Sequence, residues 1–341
     1  MIMLERNPVI NFHGAELQFI GDTHLGKTFK NNVLLTRRGE YEALQYQVLT
    51  EKLTFKPNNV AEFIRCQAGD WFDKSVVSIN DVLKSYQLLK DYENDNIEPL
   101  FILSGNHDDS KSITEPTSWD LLAKFFEEST TVKFIKRWLV HTLEDGSQIL
   151  FVGWNIHDSV AVSYVQALEA GFNKIRMVVC HLDRVSYDDD SNVIPYDFLI
   201  EKGVECVVSG HEHKPYQFHD KGLQVIGTGS MLPYTHAEDP ECNHFITFKS
   251  LDEMLTFGLE NLKDKHVRIY TDDIEGLPEV DCISLQVNRV ENNLEIEDID
   301  QVVIESYDAK SIWDASAKRV GLLDDMSKQL WSEIKEKGVE E

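Results

Sequence analysis

The chain has 341 residues and a formal net charge of −26, from 33 Lys+Arg against 59 Asp+Glu. With 42% hydrophobic and 10% aromatic residues it can build a sizeable core, which excludes a disordered or fibrous chain. The acidic balance counts against a plain nucleic-acid binder, whose affinity for phosphate comes from Lys and Arg. At roughly 150 residues per domain, the length fits one large domain and a smaller one. No apolar run reaches the ~18 residues of a membrane span, and Met1 to Ile10 has no signal-peptide pattern. Five cysteines without CxxC spacing fit a reduced protein, expected in the cytoplasm (of the host, if viral) and off the membrane. Half of the charge deficit, −13, falls in residues 251–341, so a boundary is expected near 250–265.

Short apolar, β-branched runs recur along the chain and predict strands. They are Leu17–Ile20, Phe63–Gln67, Leu100–Ser104, Ile149–Gly153, Met177–Cys180, Val204–Ser209 and Val225–Gly227. Between them, Ile79, Val82, Leu83, Tyr86 and Leu89 recur at helical spacing, with Ser78 placed to cap the helix. Trp119, Leu122 and Phe126 form a second stripe of this kind. Strand alternating with helix indicates a layered α/β core. After residue 250, Val267–Tyr270 and Cys282–Val287 read as strands, Glu297–Ser306 as a helix, and Leu323, Met326, Leu330, Trp331 and Ile334 as a helical stripe.

The ends of these strands carry metal-type residues. Gly21-Asp22-Thr23-His24, Gly69-Asp70-Trp71-Phe72-Asp73 and Gly105-Asn106-His107-Asp108 follow the first three runs. Cys180-His181 and Gly210-His211-Glu212-His213 follow two later ones. Gly-Asp and Gly-Asn pairs are ordinary turn formers, and a single histidine is more often structural than ligating. Five such elements, each after an apolar strand, are hard to explain as turns, because strand ends of open α/β sheets are where sites assemble. Carboxylate and amide oxygens mixed with imidazoles suit Mn, Fe or Zn better than Ca. A central carboxylate could bridge two such ions and activate water for attack on phosphorus.

In this order the motifs resemble the calcineurin-like metallophosphoesterases, with their DxH, GDxxD, GNH[DE], H and GHxH signature. The resemblance implies that Asp22, His24, Asp70 and His213 hold one metal, and that Asp70, Asn106, His181 and His211 hold the other. His107 would serve the scissile phosphate as a catalytic group, with Asp108 orienting it. Within that superfamily, Asp22-Thr23-His24-Leu25-Gly26, Gln67-Ala68-Gly69-Asp70-Trp71-Phe72-Asp73 and Gly227-Thr228-Gly229-Ser230-Met231-Leu232-Pro233 resemble segments of the SbcD-type nucleases, in compact phage-like form. The resemblance covers roughly residues 17–250. Cys180 stands where the bacterial enzymes usually have Gly, and some 16 residues precede a strand with which relatives begin.

This resemblance implies a four-layer α/β sandwich of two β-sheets flanked by helices, with a small C-terminal α/β cap. The nuclease domain would span 1–255 (1–16 an N-terminal extension), the cap and DNA-recognition domain 256–310, and a C-terminal helix 311–341. The activity implied is metal-dependent exonuclease, and also endonuclease, action on DNA in recombination, repair or replication. Two divalent ions are expected, Mn2+ first and Mg2+ or Fe2+ as alternatives. The implied partners are DNA and an SMC-like ABC ATPase of SbcC type, with a homodimer inside the complex. Lys27, Lys30, Arg37 and Arg38 make a local run of +4 after the first metal motif and are candidate DNA contacts. Leu323, Met326, Leu330, Trp331 and Ile334 are candidate contacts to the ATPase.

Other readings share parts of this pattern. A phosphatase or small-molecule phosphodiesterase would use the same metals. Gly21 to Thr28 also fits the P-loop expression G-x-x-x-x-G-K-[ST], so a P-loop NTPase is an alternative. Against it, Asp22 would place a carboxylate in the phosphate cradle, and Phe29-Lys30-Asn31-Asn32 is a poor helix opening.

Overall fold

The computed structural model describes residues 6–29, 32–33, 35–57, 61–110, 115–155, 158–185 and 193–289. Lys30, the helix expected at 297–306 and the stripe from Leu323 to Ile334 lie outside the described residues. The segment read as an extension opens with a strand of its own. β1 (Val9–Phe12) pairs antiparallel with β2 (Ala15–Ile20) through the two-residue turn His13–Gly14. Both turn residues have positive φ, 51° and 88°, as a type I′ hairpin requires. β3 (Glu62–Gln67), β4 (Leu100–Leu103) and β5 (Val132–Ile135) add in parallel, giving a five-stranded sheet in the order β1-β2-β3-β4-β5. A second sheet is built from β6 (Trp138–Thr142), β7 (Gln148–Val152), β8 (Ile175–Cys180), β9 (Cys206–Ser209), β10 (Tyr216–Asp220) and β11 (Leu223–Gly227). Its order is β10-β11-β9-β8-β7-β6, with β7, β8, β9 and β11 parallel.

The period-2 alternation of strand side chains creates the layers. Leu17, Phe19, Ile64, Cys66, Phe101 and Leu103 of the first sheet interdigitate with Ile149, Phe151, Met177, Val179, Cys206 and Val208 of the second. The alternate residues Ile20, Leu100 and Ile102 face outward. They are covered by α1 (Glu40–Thr54), α2 (Ile79–Asp95) and α3 (Ser118–Phe125) through Leu49, Leu53, Val82, Leu89, Trp119 and Leu122. On the far side, Leu150, Val178 and Val207 pack under α4 (Val160–Glu169) and α5 (Tyr196–Glu201). This is the expected sandwich of two sheets flanked by helices. The Ser78 side chain caps α2 by accepting the Asp81 N–H.

A third, parallel sheet of β12 (Phe245–Phe248), β13 (His266–Tyr270) and β14 (Ser284–Asn288) packs with α6 (Leu251–Phe257) around a separate apolar cluster. Its first strand precedes residue 250, so the composition break at 250–265 falls inside this layer. All five cysteines are free thiols. No helix among the described residues is long and apolar enough to cross a membrane.

Two stability predictions follow from this packing. Phe101 and Phe151 stack across the two sheets with ring centroids 4.4 Å apart, both buried. Phe151→Ala is expected to cost about 3–5 kcal/mol in a urea melt, through lost transfer energy and a cavity. At the first hairpin, the His13 ring binds Asp145 (Nδ1–Oδ2 2.9 Å) and Glu205 (Nε2–Oε2 3.0 Å), tying one sheet to the turns of the other. Hydrogen bonding to Glu205, then Asp145, raises the His13 pKa above its usual value despite partial burial. A raised folded-state pKa stabilises below the unfolded value and loses that contribution as pH climbs through the folded one. His13→Asn keeps a turn-compatible residue and removes the titration. The stability gap between wild type and this variant should therefore narrow as pH rises from the ordinary histidine value through the raised one, by less than about 1 kcal/mol because the ring and its partners are largely exposed.

Candidate metal centre

The carboxyl ends of β2, β3 and β4 in one sheet meet those of β8, β9 and β11 in the other. An isolated bridge from Asp22 to Ser230, with Met231 N–H donating to Asp22 O at 2.8 Å, stitches the two edges together. Three of the motif residues, His24 (φ 43°), Asp70 (φ 53°) and His211 (φ 76°), stand in the left-handed region. That conformation is strained for non-glycine residues and clusters at functional sites. Two motif glycines are required by contact: a Cβ on Gly69 would lie 2.2 Å from His181 Nδ1, and one on Gly105 2.1 Å from Asp70 Oδ1.

All seven expected metal residues converge. His24 Nε2 and His213 Nε2 are 2.9 Å apart, and Asp22 Oδ2 lies 3.7 Å from His213 Nε2. His181 Nε2 and His211 Nδ1 lie 3.1 and 2.9 Å from Asn106 Oδ1, and 3.3 Å from each other. Asp70 stands between the two groups, with Oδ2 3.8 Å from His24 Nε2 and 3.3 Å from His181 Nε2. Donor atoms on one divalent ion lie about 3.0–3.5 Å apart for bond lengths near 2.1 Å, and the donor pairs here lie 2.9–3.8 Å apart, bracketing that spacing.

The far ring nitrogens decide which lone pairs face inward. His181 Nδ1–H donates to Ala68 O at 2.8 Å, and His213 Nδ1–H to Glu238 Oε1 at 3.2 Å, so both turn Nε2 to the site. His211 is reversed: its Nε2–H faces Asp183 Oδ1 at 3.2 Å, leaving Nδ1 as the inward atom. His24 Nε2 and His213 Nε2 approach to 2.9 Å while His24 Nδ1 has no hydrogen bond, so a cation beside both rings could be held by the two Nε2 atoms.

Charge points the same way. Asp22, Asp70 and Asp108 are all buried. Burial, then Asp70, pushes Asp22 up to about 6, with His181 and His213 pulling the other way. Burial also opposes the charge of Asp70, but His181, His24 and His107 outweigh it and hold this carboxyl below its usual range. Asp22 Oδ2 and His24 Nδ1 are buried without a hydrogen bond. An orphaned carboxylate oxygen among convergent imidazoles is chemistry that a divalent cation satisfies.

The second expected catalytic residue is placed differently. Asp108 does not orient His107. Its carboxylate accepts the N–H groups of Trp71 (2.9 Å), Phe72 (2.9 Å) and Gly105 (3.0 Å), locking the two motif turns together. Burial, then Asp70, pushes its pKa up to about 8. The ring of His107 is held by Asp73, whose carbonyl accepts from Nδ1 at 2.6 Å, and the His107 N–H donates to Asp70 Oδ1 at 2.8 Å. His107 is exposed at the rim, 4.7 Å from His24 between ring centroids.

Sequence reasoning missed several residues. Glu238 and Asp183 fix imidazole tautomers from outside any motif. Tyr234 donates to Thr23 O at 2.6 Å and packs edge-on against His24; its one signal was its place directly after the 227–233 segment. Trp154 stacks on His211 at 5.9 Å. Cys180 faces the helix-side core, away from the ligand atoms, so its replacement of glycine leaves the site intact.

The basic run is largely spent on the protein itself. Lys27 Nζ pairs with Asp73 Oδ1 at 3.1 Å. Arg37 is held by Glu40, Asp264 and Asp281 at 2.8–3.3 Å. Arg38 is exposed, with no ion pair among the described residues. The P-loop reading fails on geometry. The N–H groups of Thr23 and His24 both go to Asp70 O, that of Leu25 to Trp71 O and that of Lys27 to His24 O, leaving no open cradle. The first α-helix begins only at Glu40.

Comparison with known proteins gives one family. The profile of the calcineurin-like phosphoesterases matches residues 18–215. No curated protein matches the chain. Among solved structures, it is similar to phosphopantetheinyl hydrolase (PptH) from Mycobacterium tuberculosis, at 14% identity and TM-score 0.38, over 67% of this chain and 93% of that one. It is also similar to a putative 5′-nucleotidase from Staphylococcus aureus, at 13% identity and TM-score 0.37, over 64% of this chain and 49% of that one. With the family's residues gathered at the joined sheet edges, the chain belongs to the calcineurin-like phosphoesterases and is a metal-dependent hydrolase of phosphoesters.

Proposed function

We propose that this hydrolase is a DNA nuclease, cutting phosphodiesters as an exonuclease and endonuclease in recombination, repair or replication. The observation that carries the reading is the joining of the two nuclease-type motifs. Leu25, from the Asp-x-His-Leu-Gly element, and Phe72, from Ala-Gly-Asp-x-Phe-Asp, are both fully buried and form one isolated β-bridge between the two metal-motif segments. The residues that set these motifs apart from a bare DxH and GDxxD thus join the two segments and anchor them in the core between the first sheet and its helices.

Asp22, His24, Asp70 and His213 would hold one ion, and Asp70, Asn106, His181 and His211 the other. When bound, two divalent ions such as Mn2+ supply a nucleophile at neutral pH and offset charge on the phosphoryl oxygens. His107, with Nδ1–H on the Asp73 carbonyl, presents Nε2 at the rim, where it would protonate the leaving oxygen or stabilise charge on the phosphate. Arg38, with Lys27 and Lys30, would meet the DNA backbone. Because Arg37 is paired with three carboxylates, affinity of the isolated chain for DNA is expected to be weak. The proposed source of further affinity is an SMC-like ABC ATPase docking on residues 311–341. Deleting that segment should abolish ATPase co-purification and leave Mn2+-dependent cleavage intact; a retained complex would count against it.

The pairing of Lys27 and Arg37 favours one second reading, a phosphatase or small-molecule phosphodiesterase that needs no polyanion contact. Duplex DNA, a chromogenic phosphodiester and a phosphopeptide, assayed side by side with Mn2+, separate the two. Turnover of the DNA is expected, and turnover of the phosphopeptide alone would refute the nuclease reading.

A further inference from the structure

The N-terminal segment before β1 reaches directly into the scaffold of the site. Arg6 Nη1 donates to His213 O at 2.8 Å, to Ser230 O at 3.0 Å and to Ser230 Oγ at 2.7 Å. Its Nη2 donates to the carbonyl of Glu238. The guanidinium therefore spans the two residues that define the His213 position: His213 itself, by its own carbonyl, and Glu238, whose carboxylate fixes the His213 tautomer. The Glu238 turn is closed separately by Tyr234 N–H on Oε2 (2.8 Å) and Thr235 Oγ1 on Oε1 (3.0 Å), so Arg6 locates a preformed turn. Asn7 continues the clasp. Its Oδ1 accepts the Gly21 N–H at 2.9 Å, its Nδ2 donates to Met231 O at 3.1 Å and its backbone N–H to Thr228 O at 3.1 Å. Three loops from distant parts of the chain, carrying Asp22, His213 and Ser230, are thereby joined through two consecutive residues.

We propose that Arg6, with Asn7, is a positioning residue that sets the Asp22–His24–His213 half of the metal centre and leaves the Asn106–His181–His211 half to its own contacts. A planar fork with several fixed donors suits the task, since one rigid group holds two strands in register. The rings of the second half receive their orienting bonds from Ala68 and Asp183, and the tie back to the first half runs through the His211 N–H, which donates to Asp22 Oδ1 at 3.1 Å. The inference rests on the metal reading of the site, and partners of this kind outside the ligand set typically govern metal affinity by about 10–100-fold.

The test is calorimetric titration of Mn2+ into the full chain, for wild type, Arg6→Ala, Arg6→Lys and His213→Ala, with far-UV circular dichroism on each. Wild type should show two binding events, and His213→Ala should lose one of them. Arg6→Ala is expected to weaken that same event by about 10-fold or more and to leave the other unchanged. Arg6→Lys, which keeps the charge and loses the fork, should weaken it by a smaller factor; it carries the test if the alanine variant does not fold. Wild-type affinity in both Arg6 variants, or equal weakening of both events, would overturn the proposal. A wild type that binds no Mn2+ would instead overturn the metal reading itself, and the proposal with it.

Discussion

Asp70→Asn is expected to lower phosphoester hydrolysis by more than about 10³-fold while the protein stays folded, because the several kcal/mol of metal-derived stabilisation depend on this residue. Asp70 Oδ2 faces His24 on one side and His181 on the other, at 3.8 and 3.3 Å. Among the described residues no other carboxylate faces inward nitrogens of both halves: Asp22 meets His213 Nε2 at 3.7 Å but only the outward Nδ1 of His181 at 3.8 Å, and Asp108 is committed to three backbone N–H groups. Asparagine is the informative replacement. Its Oδ1 can still accept the His107 N–H that Asp70 Oδ1 accepts at 2.8 Å. It also tolerates the left-handed backbone found at this position. What it removes is the negative charge shared by both halves. Inductively coupled plasma analysis of the dialysed protein should show metal content falling from two ions per chain, with the far-UV spectrum unchanged. Wild-type metal content and activity in Asp70→Asn would refute the shared-carboxylate assignment.

The convergence of the seven candidate metal residues was legible because each sits at the end of an apolar strand, and strand ends in a parallel sheet all point to one edge. Seven strand positions could be read for the same reason: runs such as Met177–Cys180 are buried on both faces and therefore continuous in sequence. The elements that escaped lack that signature. β5 and β6 lie at sheet edges, and β6 has no fully buried residue, so its sequence shows little contrast. In α1 the residues facing the core include Gln45 and Tyr41, which dilute the helical stripe. Spacing also cannot tell which side of a motif a residue serves. Asp108 follows His107 in the chain, yet its carboxylate turns inward to backbone amides while the neighbouring ring turns out. The groups that orient the ligands from outside the motifs, Glu238 and Asp183 with Arg6 behind Glu238, belong to segments brought in by tertiary packing, and nothing in their local sequence marks them.

The net charge has a structural counterpart that composition hides. Three buried carboxyls with no Lys or Arg paired to them among the described residues would repel one another in a site designed to stay apolar. Here they surround four inward imidazole lone pairs and an amide oxygen, a donor set completed by cations. The same economy explains the basic run. Arg37 pairs with Glu40, Asp264 and Asp281, and so binds the start of α1 to the segments that lead into the third sheet, a structural use of a residue whose sequence position suggested substrate. In the proposed nuclease, contact with the DNA backbone would then rest on Arg38, Lys27 and Lys30.

His107→Ala separates the chemistry from the metals. Removing a positioned proton donor typically costs about 10²–10⁴-fold, and a loss of that size in kcat is expected here with little change in KM. The ring can approach His24 and Asp70 closely enough to act as a ligand, so a loss of activity alone would be ambiguous. Metal content resolves it. If His107 acts on the substrate, the variant keeps two Mn2+ per chain and wild-type Mn2+ affinity, because His24 and the oriented rings of His181, His211 and His213 remain. Substrate choice adds a second readout. A phosphodiester whose leaving group is a nitrophenolate needs no proton on departure, so the variant should lose far less rate on that ester than on DNA. Equal losses on both would mean that His107 stabilises charge on the phosphate and does not protonate the leaving oxygen. Loss of one Mn2+ would move His107 into the ligand set, and wild-type rates would remove it from the catalytic machinery altogether.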